Sequence, residues 1–407
     1  MSESKKRVLV VTQDMQVSGV SRAQLGLLHA FDKEKYEVDL FIRSHSGEFM
    51  SQIPEGVKLL PEIEAYRLAD RTTSEAIKGG HFLLALGKAY GMMRARRYAK
   101  KHSVALSGVA LDYTQRYQLP FLPKISDKEY DLVISFVAPH YFGAYKCRGK
   151  KRLCWIHTDY TSLGLDVRSE AEVWGKYDGI VAISDRVGEA FAQRFPTLEN
   201  KLVRIDNPIS PELVRESSKK ARAEEIVRTG EEKILLSCGR LYSVKNFRSI
   251  PHIASLMLKA GVDIKWYIVG EGGDRALIEE KIKEYGVGGR VILLGQKENP
   301  YPYMAACDLY VQPSLYEGRS VAVIEAQILG RPVAITDFPT AKGQLRDGFD
   351  GVIVPLDDEG CAEGLVRLLR DGAMLEALQK GCESSDYGCE KDIERICSYM
   401  EQTALTE

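Results

Sequence analysis

The 407-residue sequence has almost no net charge, because 56 lysines and arginines stand against 57 aspartates and glutamates. Such a balance is not that of a polybasic nucleic-acid binder. No apolar run approaches the ~18 residues of a membrane-spanning helix. The N-terminal MSESKKR leads into a strand-like run without the apolar core of a signal peptide. These absences predict a cytoplasmic protein that neither spans a membrane nor binds nucleic acid.

The eight cysteines lack the spacing of a metal or redox motif, since no pair forms C-x-x-C and none stands at finger spacing from a histidine. Four of them fall in the last fifty residues, where a redox or metal function is the less favoured interpretation. Without an export signal, reduced thiols are expected. We therefore interpret these cysteines as small, buried apolar residues.

Short β-branched runs alternate with helical patterns in two series, which a charged, proline-containing stretch near 207–230 separates. This alternation predicts βαβ units in doubly wound parallel sheets, the α/β fold class. We expect an N-terminal domain over 1–208 and a second over 209–389, with a helix at about 390–407 packing back on the first. The predicted strands are 7–12, 37–43, 57–60, 131–136, 151–157, 179–184, 202–206, 233–238, 263–269, 290–294, 308–312, 332–336 and 351–354.

One segment, 76–111, contains no acidic residue. Its seven cations are interleaved with large apolar side chains, and the pattern predicts a basic amphipathic helix. Such a helix can lie on an anionic membrane surface. The alternative is a solvated helix whose apolar side packs on the first domain. The cations are Lys78, Lys88, Arg94, Arg96, Arg97, Lys100 and Lys101.

The most informative stretch, PSLYEGRSVAVIEAQILGRPVAITD, covers 313–337. Glu317 falls in a turn directly after a predicted strand, and Glu325 lies in the helix that follows. Main-chain N–H groups at the start of that helix form an anion site. Two carboxylates around such a site are suited to gripping both ends of a nucleotide sugar. The residues expected at the helix start are Gly318, Arg319, Ser320 and Val321.

This stretch resembles the E-x7-E segment of the family 4 retaining glycosyltransferases, which have the GT-B fold of two facing Rossmann-like domains around a cleft. The resemblance continues in Gly239-Arg240-Leu241 and Lys245-Asn246, after the first strand of the second series. It implies that Arg240 and Lys245 bind the donor diphosphate, Glu317 the sugar and Glu325 the ribose. Gly270 matches the glycine-rich turn of the family, and Gln296 follows the turn that lies against the base.

The first domain carries the same resemblance more loosely. Ser18-Gly19-Val20 looks like the Gly-Gly-Val loop of the family, with serine in place of the first glycine. Gly19 would let the main chain approach the donor phosphates closely. His157, at the end of a predicted strand, is similar to the family histidine that contacts the donor sugar. Asn207-Pro208-Ile209 stands where the family more often has Asn-Gly-Ile.

The resemblance implies transfer of a sugar from a nucleotide diphosphate sugar to a hydroxyl, with retention of configuration. The catalytic residues would be His157, Arg240, Lys245 and Glu317, with no protein nucleophile. UDP is the expected nucleotide from family frequency. No Asp-x-Asp follows a strand, and we expect neither a metal nor another cofactor. The predicted acceptor is a saccharide, lipid-linked, in cell-surface polymer synthesis at the inner face of the plasma membrane.

Two other functions stay open at the level of sequence. A nucleotide-sugar epimerase of the same fold would need no acceptor, but lacks the combined Gly-Arg, Lys-Asn and E-x7-E pattern. A non-enzymatic nucleotide-sugar-binding partner of another transferase would not require Glu317, His157 and the two cations together.

Overall fold

The computed structural model of the chain describes residues 5–158, 160, 163–388 and 390–401. Contacts divide these residues into two compact units, one formed by 5–208 with 390–401 and the other by 209–388. Each unit contains a parallel sheet with helices on both faces, so the structure confirms the predicted α/β class.

In the first unit, seven strands form a sheet with the order β3-β2-β1-β4-β5-β6-β7. Its inner strands are apolar at consecutive positions because helices cover both faces; Val8, Leu9 and Val10 are fully buried. The strands are β1 (Lys6–Thr12), β2 (Tyr36–Ile42), β3 (Val57–Leu59), β4 (Glu129–Ser135), β5 (Arg148–Ile156), β6 (Gly179–Ala182) and β7 (Leu202–Arg204). The helices are α1 (Gly19–Ala30), α2 (Glu64–Asp70), α3 (Thr73–Lys78), α4 (Phe82–His102), α5 (Leu106–Gln118), α6 (Tyr141–Tyr145), α7 (Val167–Trp174) and α8 (Asp185–Arg194).

The second unit has a six-stranded sheet with the order β10-β9-β8-β11-β12-β13. Apolar clusters on the two faces of this sheet form the core. The strands are β8 (Lys233–Cys238), β9 (Ile264–Val269), β10 (Val291–Gly295), β11 (Leu309–Gln312), β12 (Val333–Thr336) and β13 (Val352–Val354). The helices are α9 (Pro211–Lys219), α10 (Ile250–Lys259), α11 (Arg275–Glu284), α12 (Tyr301–Ala306), α13 (Val321–Ile328), α14 (Asp358–Arg370) and α15 (Gly372–Glu383).

The final helix, α16 (Glu390–Ser398), contacts α1 of the first unit. Beyond its end, the Glu401 carboxylate lies 3.3 Å from the Lys6 ammonium at the start of β1. The chain thus returns to the first sheet after it has formed the second.

The sequence pattern predicts one basic helix in the segment 76–111, but the structure has no single continuous helix there. It runs from the end of α3 through α4 into α5, with a left-handed turn at Ser103 (φ 53°) between the last two. α4 and α5 then pack against each other as antiparallel neighbours, with glycines of α4 at the contact. A Cβ on Gly87 would lie 2.5 Å from the Tyr117 carbonyl oxygen, so the helices approach more closely there than a larger residue allows.

Both sheets reverse their strand order once near the middle, between β1 and β4 in the first and between β8 and β11 in the second. Loops that leave the carboxyl ends of strands on either side of such a reversal diverge and open a crevice, where open α/β sheets bind ligands. The loops after β8 and β11 carry the strongest sequence motifs, and the sheet order brings these loops together.

Candidate functional site

Lys245 and Glu317 meet at the carboxyl edge of the second sheet. Lys245 lies in a short 3₁₀ helix after β8, and Glu317 in the loop after β11. A main-chain hydrogen bond from Leu315 N to Val244 O (2.9 Å) joins the two loops. The Lys245 ammonium is then 2.6 Å from Glu317 Oε1. Two residues 72 positions apart in sequence thus form one charged pair.

Two further hydrogen bonds hold Glu317 in place, one at its side chain and one at its main chain. Its carboxylate Oε1 accepts a hydrogen bond from the Ser314 hydroxyl (2.7 Å), and its main-chain oxygen accepts one from the Thr340 hydroxyl (2.6 Å). The side chain is only 9% exposed. A carboxylate restrained in this way is prepared to accept hydrogen bonds in a fixed direction, as substrate recognition requires.

The start of α13 offers main-chain donors, but not all those expected. Ser320 N donates to the Gln344 side-chain oxygen (2.6 Å), and the Gln344 amide donates back to Ser320 O (3.3 Å). The next three N–H groups, from Val321 to Val323, are first-turn donors that a helix itself leaves without partners. An anion would therefore meet these groups rather than Ser320 N. Gly318 and Arg319 lie in the half-buried loop before them.

Glu325 lies one helical turn further on and is fully buried. Its Oε1 accepts a hydrogen bond from the Tyr301 hydroxyl of α12 (2.8 Å). Nothing in the sequence motif pointed to Tyr301, which is 24 residues away. A buried carboxylate with a hydroxyl partner can exchange that bond for one to a ligand hydroxyl.

Three glycines shape the main chain at the ends of β8, β9 and β10. Gly239 N donates to Val269 O (2.9 Å), and Gly270 N donates to Gly295 O (2.8 Å). At Gly270 the φ angle is +147°, and a Cβ would lie 1.8 Å from Gly239 O. Only glycine fits there. Beyond this frame, Arg240 and Gln296 are exposed, with the Arg240 guanidinium 5.6 Å from the Tyr242 ring centroid.

In the first unit, His157 directly follows β5. Its Nε2 lies 2.8 Å from Phe136 O, and since a carbonyl only accepts, Nε2 carries the proton and Nδ1 is the acceptor. Burial lowers the pKa of His157 to about 4. The ring is therefore neutral near pH 7. Nδ1 is buried and no described residue bonds to it.

A second buried histidine, His140, was missed by the sequence analysis. It lies in the loop after β4, with Nδ1 2.8 Å from the Ser135 hydroxyl. Burial, with a smaller contribution from His157, lowers its pKa to about 3. A lone histidine in a loop gives little signal in sequence, and only the sheet order shows that it lies one strand away from His157.

The loop before α1 explains the serine that stands in place of a family glycine. Ser18 is the N-cap of α1, and its hydroxyl accepts a hydrogen bond from Ser21 N (3.0 Å). Gly19 is exposed, and a Cβ on it would meet no atom within 4 Å. The surface at Gly19 is thus open to a ligand.

Two kinds of feature are absent from the residues that the structure describes. Within the described residues, no helix combines the length and the apolar character needed to cross a bilayer. In the same part of the chain, no three histidine, cysteine, aspartate or glutamate side chains are grouped as metal ligands would be.

Comparison with known proteins gives the class. Residues 218–383 match the model of the glycosyl transferases group 1 family. This match covers nearly all of the second unit and includes the Lys245–Glu317 pair and α13. The second unit is thus similar to the group 1 glycosyl transferases over residues 218–383.

The most informative relatives are bacterial. The N-acetylgalactosamine-N,N'-diacetylbacillosaminyl-diphospho-undecaprenol 4-alpha-N-acetylgalactosaminyltransferase of Campylobacter jejuni is 34% identical over 149 residues, or 36% of this chain and 40% of that enzyme. The UDP-Gal:alpha-D-GlcNAc-diphosphoundecaprenol alpha-1,3-galactosyltransferase of Escherichia coli is 28% identical over 153 residues, 36% of this chain and 38% of that enzyme. The chain thus spans about two fifths of the length of these relatives.

Solved structures extend the likeness of the fold to the whole chain. Anabaena HepE in complex with UDP aligns over 97% of this chain and 98% of its own, with a TM-score of 0.60 and 15% identity. A variant of Staphylococcus aureus TarM, also with UDP, aligns over 98% and 100%, with a TM-score of 0.66 and 14% identity. At such identities the likeness shows the fold alone. With its two parallel sheets, the chain has the GT-B glycosyltransferase fold.

Proposed function

We propose that the protein transfers a sugar from a nucleotide diphosphate sugar, with UDP as the nucleotide, to a hydroxyl of a saccharide acceptor. The observation that carries this proposal is the meeting of Lys245, Glu317 and the start of α13 at the carboxyl edge of the second sheet. A cation, a restrained carboxylate and helix N–H groups together suit a diphosphate joined to a polyol. The UDP bound to HepE and TarM supports the choice of nucleotide.

In this proposal the second unit binds the donor. Arg240, Lys245 and the first turn of α13 stabilise the diphosphate, and Glu317 accepts hydrogen bonds from the sugar hydroxyls. Glu325 exchanges its bond from Tyr301 for one to the ribose. Gly270 gives the main chain room near the phosphates, and Gln296 contacts the base.

The first unit supplies the acceptor-binding part. His157 holds the donor sugar through Nδ1, and the open surface at Gly19 borders the phosphates. The bond from the anomeric carbon to the diphosphate breaks as the bond to the acceptor oxygen forms on the same face, and the acceptor proton passes to the leaving phosphate. Configuration is retained without a protein nucleophile. Arg240 and Lys245 provide the charge stabilisation that a metal ion supplies in other enzymes.

The first experiment is a thermal-shift screen of the purified protein against UDP-, GDP-, ADP- and dTDP-sugars, since a ligand that binds the folded state raises its melting temperature. The best donor is then incubated with and without saccharide acceptors, in buffer with EDTA. Product with the same anomeric configuration, formed only with acceptor, supports the proposal. An isomerised nucleotide sugar without acceptor would indicate an epimerase instead, and binding without turnover a non-enzymatic partner.

Glu325→Ala tests the donor assignment separately. We expect native-like folding and at least tenfold weaker UDP binding by calorimetry, because the ribose loses its carboxylate. Native affinity in the folded variant would contradict the role of Glu325.

We propose a lipid-linked saccharide as the acceptor, at the inner face of the plasma membrane. The names of the Campylobacter jejuni and Escherichia coli relatives specify undecaprenyl diphosphate saccharides, which supports this class for the present chain. Synthetic acceptors with and without a polyprenyl diphosphate test it directly. Equal kcat/KM on both would count against a lipid-linked acceptor.

We also propose that the segment 76–111 binds an anionic membrane surface, through α4. Its outward face divides along the helix axis. The first half exposes large apolar side chains, with Phe82 and Leu86 each 64% exposed and Leu83 60%. The second half is exposed and basic through Arg94, Arg97 and Lys101. A large exposed apolar patch on a protein surface commonly marks a site of contact with a membrane or another protein. The adjacent cations favour a membrane, because they can bind anionic headgroups.

Flotation with liposomes of phosphatidylglycerol and phosphatidylcholine tests this contact. Binding is expected at low salt and not to phosphatidylcholine alone. Phe82→Ser combined with Leu86→Ser should abolish it, whereas Arg97→Glu combined with Lys101→Glu should weaken it and remove its salt dependence. Leu356→Ser, at an exposed leucine of the second unit, is the matched control. Equal flotation of all variants would disprove the contact.

A further inference from the structure

Polar side chains alternate along β11 and the residues that continue it. Tyr310, Gln312 and Ser314 occupy every second position, and all three are fully buried. Alternate residues of an extended chain point to the same face. This row therefore leads along one face of the second sheet towards the loop that carries Glu317.

The three side chains form one continuous chain of hydrogen bonds. The Tyr310 hydroxyl has two acceptors within reach, Cys238 O at 3.2 Å and Gln312 Oε1 at 2.8 Å, and we assign its proton to the shorter contact. Gln312 Nε2 then donates to the Ser314 hydroxyl oxygen (2.9 Å). The Ser314 hydroxyl in turn donates to Glu317 Oε1 (2.7 Å). Every donor points towards the carboxylate, and bonds aligned in this way polarise and strengthen one another at low dielectric.

The row of hydrogen bonds ends at only one of the two oxygens of the Glu317 carboxylate, Oε1. Lys245 Nζ bonds to Glu317 Oε1 as well, at 2.6 Å. Within the described part of the chain, no hydrogen bond reaches Oε2. The carboxylate therefore has one occupied oxygen and one with its acceptor capacity intact.

We propose that Tyr310, Gln312 and Ser314 are positioning residues that orient Glu317 so that Oε2 accepts from the donor sugar. This inference rests on the proposed function. We call the hydrogen-bonded row Tyr310–Gln312–Ser314 the relay. Since the relay orients Glu317, it should affect the binding of the sugar and leave the binding of the diphosphate and the nucleoside unchanged. Without the Ser314 hydroxyl, only Lys245 restrains the carboxylate, and the carboxylate can turn about its terminal torsion.

The experiment compares the affinities of each variant for UDP and for the UDP-sugar that gives the largest thermal shift. Ser314→Ala should leave the Kd for UDP within twofold of the wild type and weaken UDP-sugar binding at least fivefold. Tyr310→Phe, which keeps the ring volume at the far end of the relay, should show the same pattern more weakly. It also serves as the test if Ser314→Ala does not fold.

Ser237→Ala is the matched control. Ser237 is a fully buried serine of β8 whose hydroxyl donates to Val311 O (2.6 Å), apart from the relay. This variant should lose stability, as Ser314→Ala does, because it also removes a buried hydrogen bond, but its preference for UDP-sugar over UDP should stay native. Parallel losses of UDP and UDP-sugar affinity in Ser314→Ala, or no change in either, would overturn the relay alone. A wild-type protein that binds no nucleotide sugar would overturn the proposed function and the relay together.

Discussion

The strand ends of the two units present opposite kinds of chemistry. In the second unit the candidate residues carry full charges and bond to each other, as Lys245 does to Glu317. In the first unit the candidate is a neutral His157 that bonds to a main-chain carbonyl. The difference indicates a division of work. In the proposed function, the charged groups of the second unit bind the charged diphosphate, and the neutral acceptor atom of His157 binds the uncharged sugar.

The largest effect is expected from a substitution that distorts the main chain of the second unit and leaves the first unit unchanged. Gly270→Ala places a Cβ against Gly239 O, at a φ of +147° that alanine rarely adopts. We expect a loss of at least several kcal/mol in the free energy of unfolding and loss of UDP binding. Gly372→Ala, at the start of α15 where a Cβ would meet no atom within 4 Å, is the control for the substitution. Urea unfolding measures the stability of each variant, and calorimetry measures its affinity for UDP. Native UDP affinity in Gly270→Ala would contradict the proposal that the main chain at Gly270 shapes the donor site.

Removing the cations comes next in size. Arg240→Ala and Lys245→Ala should each lower turnover more than tenfold, or over ~1.4 kcal/mol in barrier. Lys245→Ala should also lower the melting temperature, because the buried Glu317 carboxylate loses its cationic partner and keeps only the bond from Ser314. Lys380→Ala, at an exposed lysine of α15, controls for the loss of charge. Unchanged turnover in a folded variant would remove that residue from the mechanism.

The pH dependence of the free energy of unfolding tests the neutral histidines of the first unit. The folded pKa of His157, about 4, lies below the ordinary value of about 6.5. Between these values the unfolded chain binds the proton and the folded chain does not, so stability falls as the pH decreases through this window. His140, with a pKa of about 3, acts in the same direction.

Urea unfolding at pH 7, 6 and 5 should therefore show a smaller slope of stability against pH in His157→Gln than in the wild type. In a plot of kcat/KM against pH, the titration of His157 should produce no inflection near pH 6.5. Any inflection found there in the wild type should therefore also be present in His157→Gln. Identical stability slopes in the two proteins would mean that His157 titrates normally.

The smallest expected effect concerns the cap of α1. Ser18→Ala removes the bond to Ser21 N and should cost about 1 kcal/mol of stability, whereas Ser18→Gly should cost a few tenths. Turnover should change little in either. A large loss of turnover in Ser18→Gly would show that the serine has a role at the substrate beyond capping.

The strands of both sheets were predictable to within a few residues because buried parallel strands are short, continuous apolar runs. The break at Ser103 was not, since one left-handed residue between two helical patterns leaves no compositional trace. In the site, Glu317 could be predicted from its motif. Gln344 could not, because only folding brings its amide to Ser320.

The relay lies between these extremes. Tyr310, Gln312 and Ser314 alternate with Leu309 and Val311, and such a polar row in a strand covered on both faces is a signal in the sequence itself. Its meaning depends on where the row ends. The contact with Glu317 is set by the turn after β11, whose path the sequence pattern does not specify.

The glycine frame at the ends of β8 to β10 has a practical consequence for engineering. Its hydrogen bonds run through main-chain atoms of Gly239, Gly270 and Gly295, so the exposed side chain that follows contributes nothing to them. A library that randomises Gln296 would leave this scaffold intact. Because Gln296 contacts the base in the proposed function, the loop after β10 is the place where we propose to change the nucleotide preference.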